Sequence, residues 1–152
     1  MNLKDYKEKR NFSKTPEPQN SPSTKSSSDL AFVIQKHQAT HLHYDLRLED
    51  EGVLKSWAIP KEPPLNPGIK RLAVQTEDHP LGYENFEGII PEGEYGAGTV
   101  EIWDQGIYKQ IEISNSKIVM DIFGKKIKGK YCLIKLKKDS DDKNWLFFKL
   151  KE

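Results

Sequence analysis

From Leu30 onward the apolar residues of this chain recur at short, strand-like spacing. The runs "AFVIQ", "HYDLRL", "VLKSWAI", "RLAVQT", "GTVEIWD", "KIVMDIF", "GKYCLIKL" and "NWLFFKL" are rich in β-branched and aromatic residues, and several alternate with period two. Turn-forming clusters separate nearly all of them: "EDEG", "NPG", "PEGEYGAG", "DQG" and "KKDSDDKN". No segment carries the period of a long helix. Seven or eight strands with short links predict an all-β fold, a small antiparallel β barrel of about eight strands, because closure leaves no bare edge. A two-sheet sandwich is the alternative.

Before Leu30 the pattern changes. Residues 3–11, "LKDYKEKRN", predict a short helix, whereas "SKTPEPQNSPSTKSSSD" mixes Pro, Ser and charge with no apolar period. The chain thus divides into a helix and partly disordered arm over residues 1–29 and a barrel domain over residues 30–152. At 152 residues the whole suits one folded unit.

Charge changes the picture only locally. Lys and Arg number 24 against 23 Asp and Glu, so any anionic partner must be held by a patch and not by net charge. Residues 117–138 hold eight Lys and one Asp; they either track a nucleic-acid backbone or decorate the outside of two strands. The N-terminus lacks a signal-peptide core and no run approaches the roughly 20 apolar residues of a membrane span, which makes a cytoplasmic protein without a membrane partner the default. Cys132 reads as a small buried hydrophobe, and Trp57, Trp103 and Trp145 as core or rim packing.

The candidate chemistry is concentrated in "QKHQATHLHYDLRLE", residues 35–49, which holds three of the four histidines. If residues 43–48 form a strand, Tyr44, Leu46 and Leu48 face the core and His43, Asp45 and Arg47 face a cavity. His37 on the adjoining strand or turn supplies a second imidazole for a site of Mn, Fe or Zn character. His41 reads as a surface residue. The bland alternative is a polar strand face, but two His and an Asp are costly to desolvate without a metal or a partner. In "KRLAVQTEDHPLGY", Arg71, Gln75, Glu77 and His79 share one parity, predicting a second polar face; Arg47, Arg71 and Lys61 add cations, and a metal with several cations makes a phosphate site.

The stretches "FVIQKHQATHLHYDLRLE", "WAIPKEPPLNPGIKRLAVQTEDHPLGYENFEGIIPEGEYGAGTVEIWDQG" and "YKEKRNFSKTPEP" closely resemble the 3′-phosphoesterase domain of bacterial DNA ligase D and its free-standing bacterial and archaeal homologues. The resemblance covers nearly the whole chain and implies a stand-alone Mn²⁺-dependent enzyme on a small β barrel. It would act on DNA or RNA-tailed DNA primer–template 3′ ends, removing a terminal ribonucleoside and then the 3′-phosphate. A DNA ligase, a polymerase and Ku are the candidate partners in trans.

The same resemblance implies His37, His43 and Asp45 as metal ligands and Arg47, His79 and Tyr83 as phosphate-contacting or catalytic groups. Gln35, Lys61 and Arg71 would support the phosphate, with Glu77 nearby. It also carries Arg10 and Glu17 into the site, so the first half of the arm would fold over it. His79 would either stabilise the transition state or protonate the leaving oxygen, and no general base for water stands out. Two rival readings are a non-haem Fe(II) oxygenase, with His79 completing a triad with His43 and Asp45, and a non-catalytic nucleic-acid-binding barrel. The basic lining argues against the first; the second leaves the His/Asp cluster idle.

Overall fold

The computed structural model describes residues 3–20, 29–136 and 142–151. A single helical turn and a half, α1 (Lys4–Glu8), precedes nine strands: β1 (Leu30–Gln38), β2 (Leu42–Asp50), β3 (Val53–Ile59), β4 (Lys70–Pro80), β5 (Gly88–Ile90), β6 (Gly98–Ile113), β7 (Lys117–Phe123), β8 (Lys128–Lys135) and β9 (Asn144–Lys149). Neighbours pair in the order β1-β2-β3-β4-β9-β8-β7-β6-β5, and β1 also pairs with β6. That last ladder closes eight strands into an antiparallel barrel, leaving the three-residue β5 as an added strip on β6. Alternation fills the interior with Phe32, Leu46, Trp57, Met120, Tyr131 and Phe147, each nearly or fully removed from water. Cys132 is free and buried, and Trp57 and Trp145 pack edge to face in the core.

The expected turn at "DQG" does not form. β6 runs through it without a break, and Gly106 lies opposite β7, where an added Cβ would sit 2.3 Å from the Phe123 carbonyl oxygen. This glycine serves close strand approach and not a turn. Asp104 beside it accepts from the backbone N–H groups of Lys125, Lys126 and Ile127, tying down the β7–β8 turn from outside.

A second apolar cluster forms on the outer wall. Tyr6 of α1 packs with Leu54, Tyr83, Phe86, Ile90 and Val100, and its hydroxyl donates to the Pro18 carbonyl. A five-residue helix has little stability of its own, so its position is set by this tertiary contact. The chain from Lys4 to Pro18 therefore lies against the barrel wall. The segment expected to be disordered falls mainly on residues 21–28, which lie outside the described residues.

Candidate metal and phosphate site

β1 and β2 build the floor of the site in register. His37 faces His43 and Gln35 faces Asp45 across the ladder, so their outward side chains converge on one patch of the barrel wall. Nitrogen and oxygen ligand atoms of His37, His43 and Asp45 all lie within 4.8 Å of one another. Asp45 Oδ2 stands 3.5 Å from His37 Nδ1 and 3.3 Å from His43 Nε2. The remaining ring nitrogens are tied back: His37 Nε2 donates to the Gly96 carbonyl at 2.7 Å and His43 Nδ1 to the His41 carbonyl at 3.0 Å. A carbonyl can only accept, so those nitrogens carry the protons and the two facing Asp45 are left with lone pairs. Two imidazoles and one carboxylate, each able to turn a lone pair toward one point, fit a divalent transition metal. His41 enters through its carbonyl; its side chain is exposed.

Arg47 sits two residues beyond Asp45 on the same face. Its Nη2 lies 3.5 Å from Asp45 Oδ2, its Nε donates to Gln35 Oε1 at 2.7 Å, and its guanidinium carbon lies 4.7 Å from the centre of the Tyr83 ring. Nη1 is buried and has no hydrogen-bond partner among the described residues. Gln35 is itself fixed, since its amide donates to the carbonyls of Tyr83 and Phe86. Burial alone would raise the Asp45 carboxyl, but the Arg47 cation, and after it the adjacent His37 and His43 rings, hold it well below the usual range. His43 is depressed by burial and raised on balance by Asp45.

The arm closes the other side. Arg10 donates from Nε to Glu17 at 3.0 Å and from Nη1 to Glu77 at 3.3 Å, and its Nη2 lies 3.5 Å from His79 Nε2. Glu17 also accepts from the Tyr83 hydroxyl and from Thr15 Oγ1 at 2.8 Å, so its carboxylate is fully engaged. Burial pushes the Tyr83 hydroxyl well above its ordinary value, keeping it a donor. His79 Nδ1 donates to the Glu77 carbonyl at 2.9 Å with Ser56 Oγ 3.3 Å away, which leaves Nε2 with the lone pair. Burial and the charges of Arg47 and Arg10 keep this ring neutral, with its pKa well below the ordinary histidine value.

The expected common parity of Arg71, Gln75, Glu77 and His79 fails. Leu54 pairs with His79 but Ser56 with Thr76, so β4 uses three residues where β3 uses two, and the bulge reverses the alternation. Before it, odd positions face inward: Ala73 is in the core and Gln75 accepts from Trp145 Nε1 at 3.2 Å. After it, His79 faces outward into the site. Arg71 donates instead to the Glu62 carbonyl at 2.9 Å, and Lys61 is exposed in the β3–β4 connection; neither lines the pocket. The oxygenase-like triad through His79 is not formed either, because its free nitrogen faces Arg10 and His37 takes the third position. None of the described lysines of residues 117–138 lines the pocket.

The resulting cavity, about 310 Å³, is lined by Arg10, Glu17, His37, His43, Asp45, Arg47, Glu77, His79 and Tyr83 among others. Thr76, Tyr95 and Gly96 line it too and were not singled out from sequence. Gly96 acts through a backbone carbonyl 59 residues from His37, a contact with no side-chain signature. Three carboxylates, Glu17, Asp45 and Glu77, outnumber the two guanidiniums of the lining. Without a metal the pocket carries an excess negative charge; a divalent ion reverses the sign and makes it receptive to phosphate.

Residues 35–135 match the family described as the DNA ligase D 3′-phosphoesterase domain. The chain is 44% identical over 156 residues to the multifunctional non-homologous end joining protein LigD of Pseudomonas aeruginosa, an alignment covering 99% of this chain and 19% of that protein. The LigD of Mycolicibacterium smegmatis is 44% identical over 161 residues, covering 99% and 21%. The multifunctional non-homologous end joining DNA repair protein LigD of Mycobacterium tuberculosis CDC 1551 is 45% identical over 150 residues, covering 96% and 19%. The chain spans about a fifth of the length of these relatives. With the barrel, the His/Asp cluster and a match over most of its length, this chain belongs to the DNA ligase D 3′-phosphoesterase domain family.

Proposed function

We propose that this domain is a Mn²⁺-dependent 3′-phosphoesterase that trims a 3′-terminal ribonucleoside and then the 3′-phosphate from primer–template ends, leaving a 3′-hydroxyl for end joining. The single observation that carries the reading is Arg47 Nη1: a buried cationic donor without a partner among the described residues, beside three convergent metal ligands. Leaving such a donor unsatisfied costs about 1–3 kcal/mol or more, a cost that a phosphate oxygen in the pocket removes.

His37, His43 and Asp45 would hold the metal, which supplies Lewis-acid neutralisation of a non-bridging phosphate oxygen when bound. Arg47 donates to a second oxygen, and Gln35 keeps its fork aimed. Arg10, anchored by Glu17, brings a further donor to the edge of the same space. His79 is neutral because burial and the charges of Arg47 and Arg10 oppose its protonation; a bound phosphate would offset those charges, placing the ring to stabilise the transition state or to protonate the leaving oxygen. Tyr83 orients: it shields Arg47 with its ring and fixes Glu17 with its hydroxyl.

The test is a labelled primer–template carrying one 3′-ribonucleotide, incubated with Mn²⁺ and with or without chelator. Conversion first to a shortened 3′-phosphate and then to a 3′-hydroxyl, abolished by chelator, is expected. An untouched primer that still binds would leave only a nucleic-acid-binding barrel.

A further inference from the structure

We propose that Tyr95 is a stacking platform for the base of the nucleotide that bears the scissile phosphate, an inference that rests on the phosphoesterase reading above. Tyr95 is 46% exposed, although aromatic side chains of its size are usually well buried. It stands in the loop between β5 and β6, which is braced by internal hydrogen bonds. Glu94 N donates to the Pro91 carbonyl and Ala97 N to the Glu94 carbonyl, both at 3.1 Å, and Gly96, at φ +76°, turns its carbonyl onto the metal-site ring of His37. The half-exposed ring thus stands one residue from a contact to a proposed metal ligand.

Its surroundings suit a nucleotide. Lys9 Nζ lies 4.9 Å from the ring centre and the Arg10 guanidinium carbon 5.2 Å. Both cations also hold Glu77, and the Lys9 side chain is 42% exposed, so a backbone phosphate at this edge would compete with Glu77 for its ammonium. Tyr95 lines two cavities at once: the metal pocket, and a groove of about 460 Å³ that shares Thr76 and Glu77 with it and continues past Asp5 and Lys9 to Lys143. The pocket is large enough for a phosphate and its sugar, while the base and the strand behind it need an exit. The groove is that exit, and the ring stands at its mouth. Stacking on a π face tolerates any base, as an end-processing enzyme requires.

A two-by-two kinetic cycle tests this. Wild-type protein and Tyr95→Ala are each given a 3′-phosphate primer–template whose terminal nucleotide is either normal or abasic, and KM and kcat are read separately from phosphate release with Mn²⁺. In the wild type, loss of the base is expected to raise KM roughly tenfold, the scale of one base–aromatic stack. In Tyr95→Ala the same loss changes KM less than about twofold, and Tyr95→Phe restores the wild-type response. An equal abasic penalty in wild type and Tyr95→Ala, with wild type active, overturns the stacking role alone. No phosphate release by the wild type overturns the phosphoesterase reading, and this inference with it.

Discussion

Gln35 and Arg47 form a buried clamp: Gln35 Oε1 lies 2.7 Å from Arg47 Nε, while the Gln35 amide nitrogen is spent on the carbonyls of Tyr83 and Phe86. One side chain therefore ties the cation of β2 to the loop that carries Tyr83. Gln35→Leu leaves Nε and two carbonyls without partners in a dry setting, so stability to urea is expected to fall by about 2 kcal/mol. Because Arg47 loses its aim as well, kcat/KM on a 3′-phosphate primer should drop about tenfold or more. Gln35→Glu should not rescue: it offers Arg47 a carboxylate but has no N–H for the carbonyls. Wild-type turnover in Gln35→Leu would show that Arg47 is positioned by other means.

With a metal at His37, His43 and Asp45, as proposed, the excess of carboxylate in the lining would make anion binding conditional on that metal. Wild-type protein is expected to bind inorganic phosphate in calorimetry only when Mn²⁺ is present. Asp45→Asn keeps the shape of the side chain, removes a ligand charge, and should weaken Mn²⁺ by about a hundredfold or more. It also equalises carboxylates and guanidiniums in the lining, so the phosphate binding that remains should no longer depend on Mn²⁺. Metal-dependent phosphate binding of undiminished affinity in Asp45→Asn contradicts the assignment of this ligand.

His79 gives the metal-free protein a defined pH response. Its folded pKa lies well below the ordinary 6.5, so above that value neither folded nor unfolded protein carries its proton and it adds nothing to the pH slope. Below pH 6.5 the unfolded chain takes up a proton that the folded chain refuses, and stability is lost as pH falls. The limiting slope is about 1.4 kcal/mol per pH unit. His43, raised by Asp45, acts in the opposite sense, gaining stability as pH falls through its folded pKa. The two are separated by difference: His79→Asn should lose stability less steeply than wild type between pH 6.5 and 5 in chelator, measured by urea midpoints. Parallel curves would mean His79 titrates normally in the fold.

What was legible in the sequence depends on how local its cause is. The His/Asp cluster follows from two adjacent strands in simple alternation, and β1 and β2 pair without a slip across His37, His43 and Asp45. The closed barrel was legible for the same reason, since Phe32, Leu46 and Met120 sit on regular strands. The second polar face was misread because a bulge costs one residue and leaves no mark in composition; it separates Arg71 and Gln75 from His79 although their numbers share parity. Gly106 was read as a turn because a glycine needed for steric reasons looks like one needed for its dihedral freedom. Gly96, acting through its carbonyl, carried no sequence signal at all.

Glu17 fastens the arm, and its removal should release the arm without opening the barrel. Its carboxylate takes Arg10 Nε, the Tyr83 hydroxyl and Thr15 Oγ1 together, in a setting nearly free of water. Glu17→Gln keeps the volume but turns a donor toward one of these three donors and strands the Arg10 charge. Breaking one partner of a buried pair costs about 3–5 kcal/mol. If the arm opens as a unit with fast reclosure, that cost raises its open population about a hundredfold or more, and proteolysis follows the open population. Trypsin cleavage after Lys14, exposed but flanked by the buried Thr15 and Glu17, should accelerate in proportion, while fragments from the barrel strands remain absent at the same protease dose. Equal cleavage after Lys14 in wild type and Glu17→Gln would mean that Tyr6 and its apolar cluster hold the arm alone, and Arg10 would then owe its place to packing and not to charge.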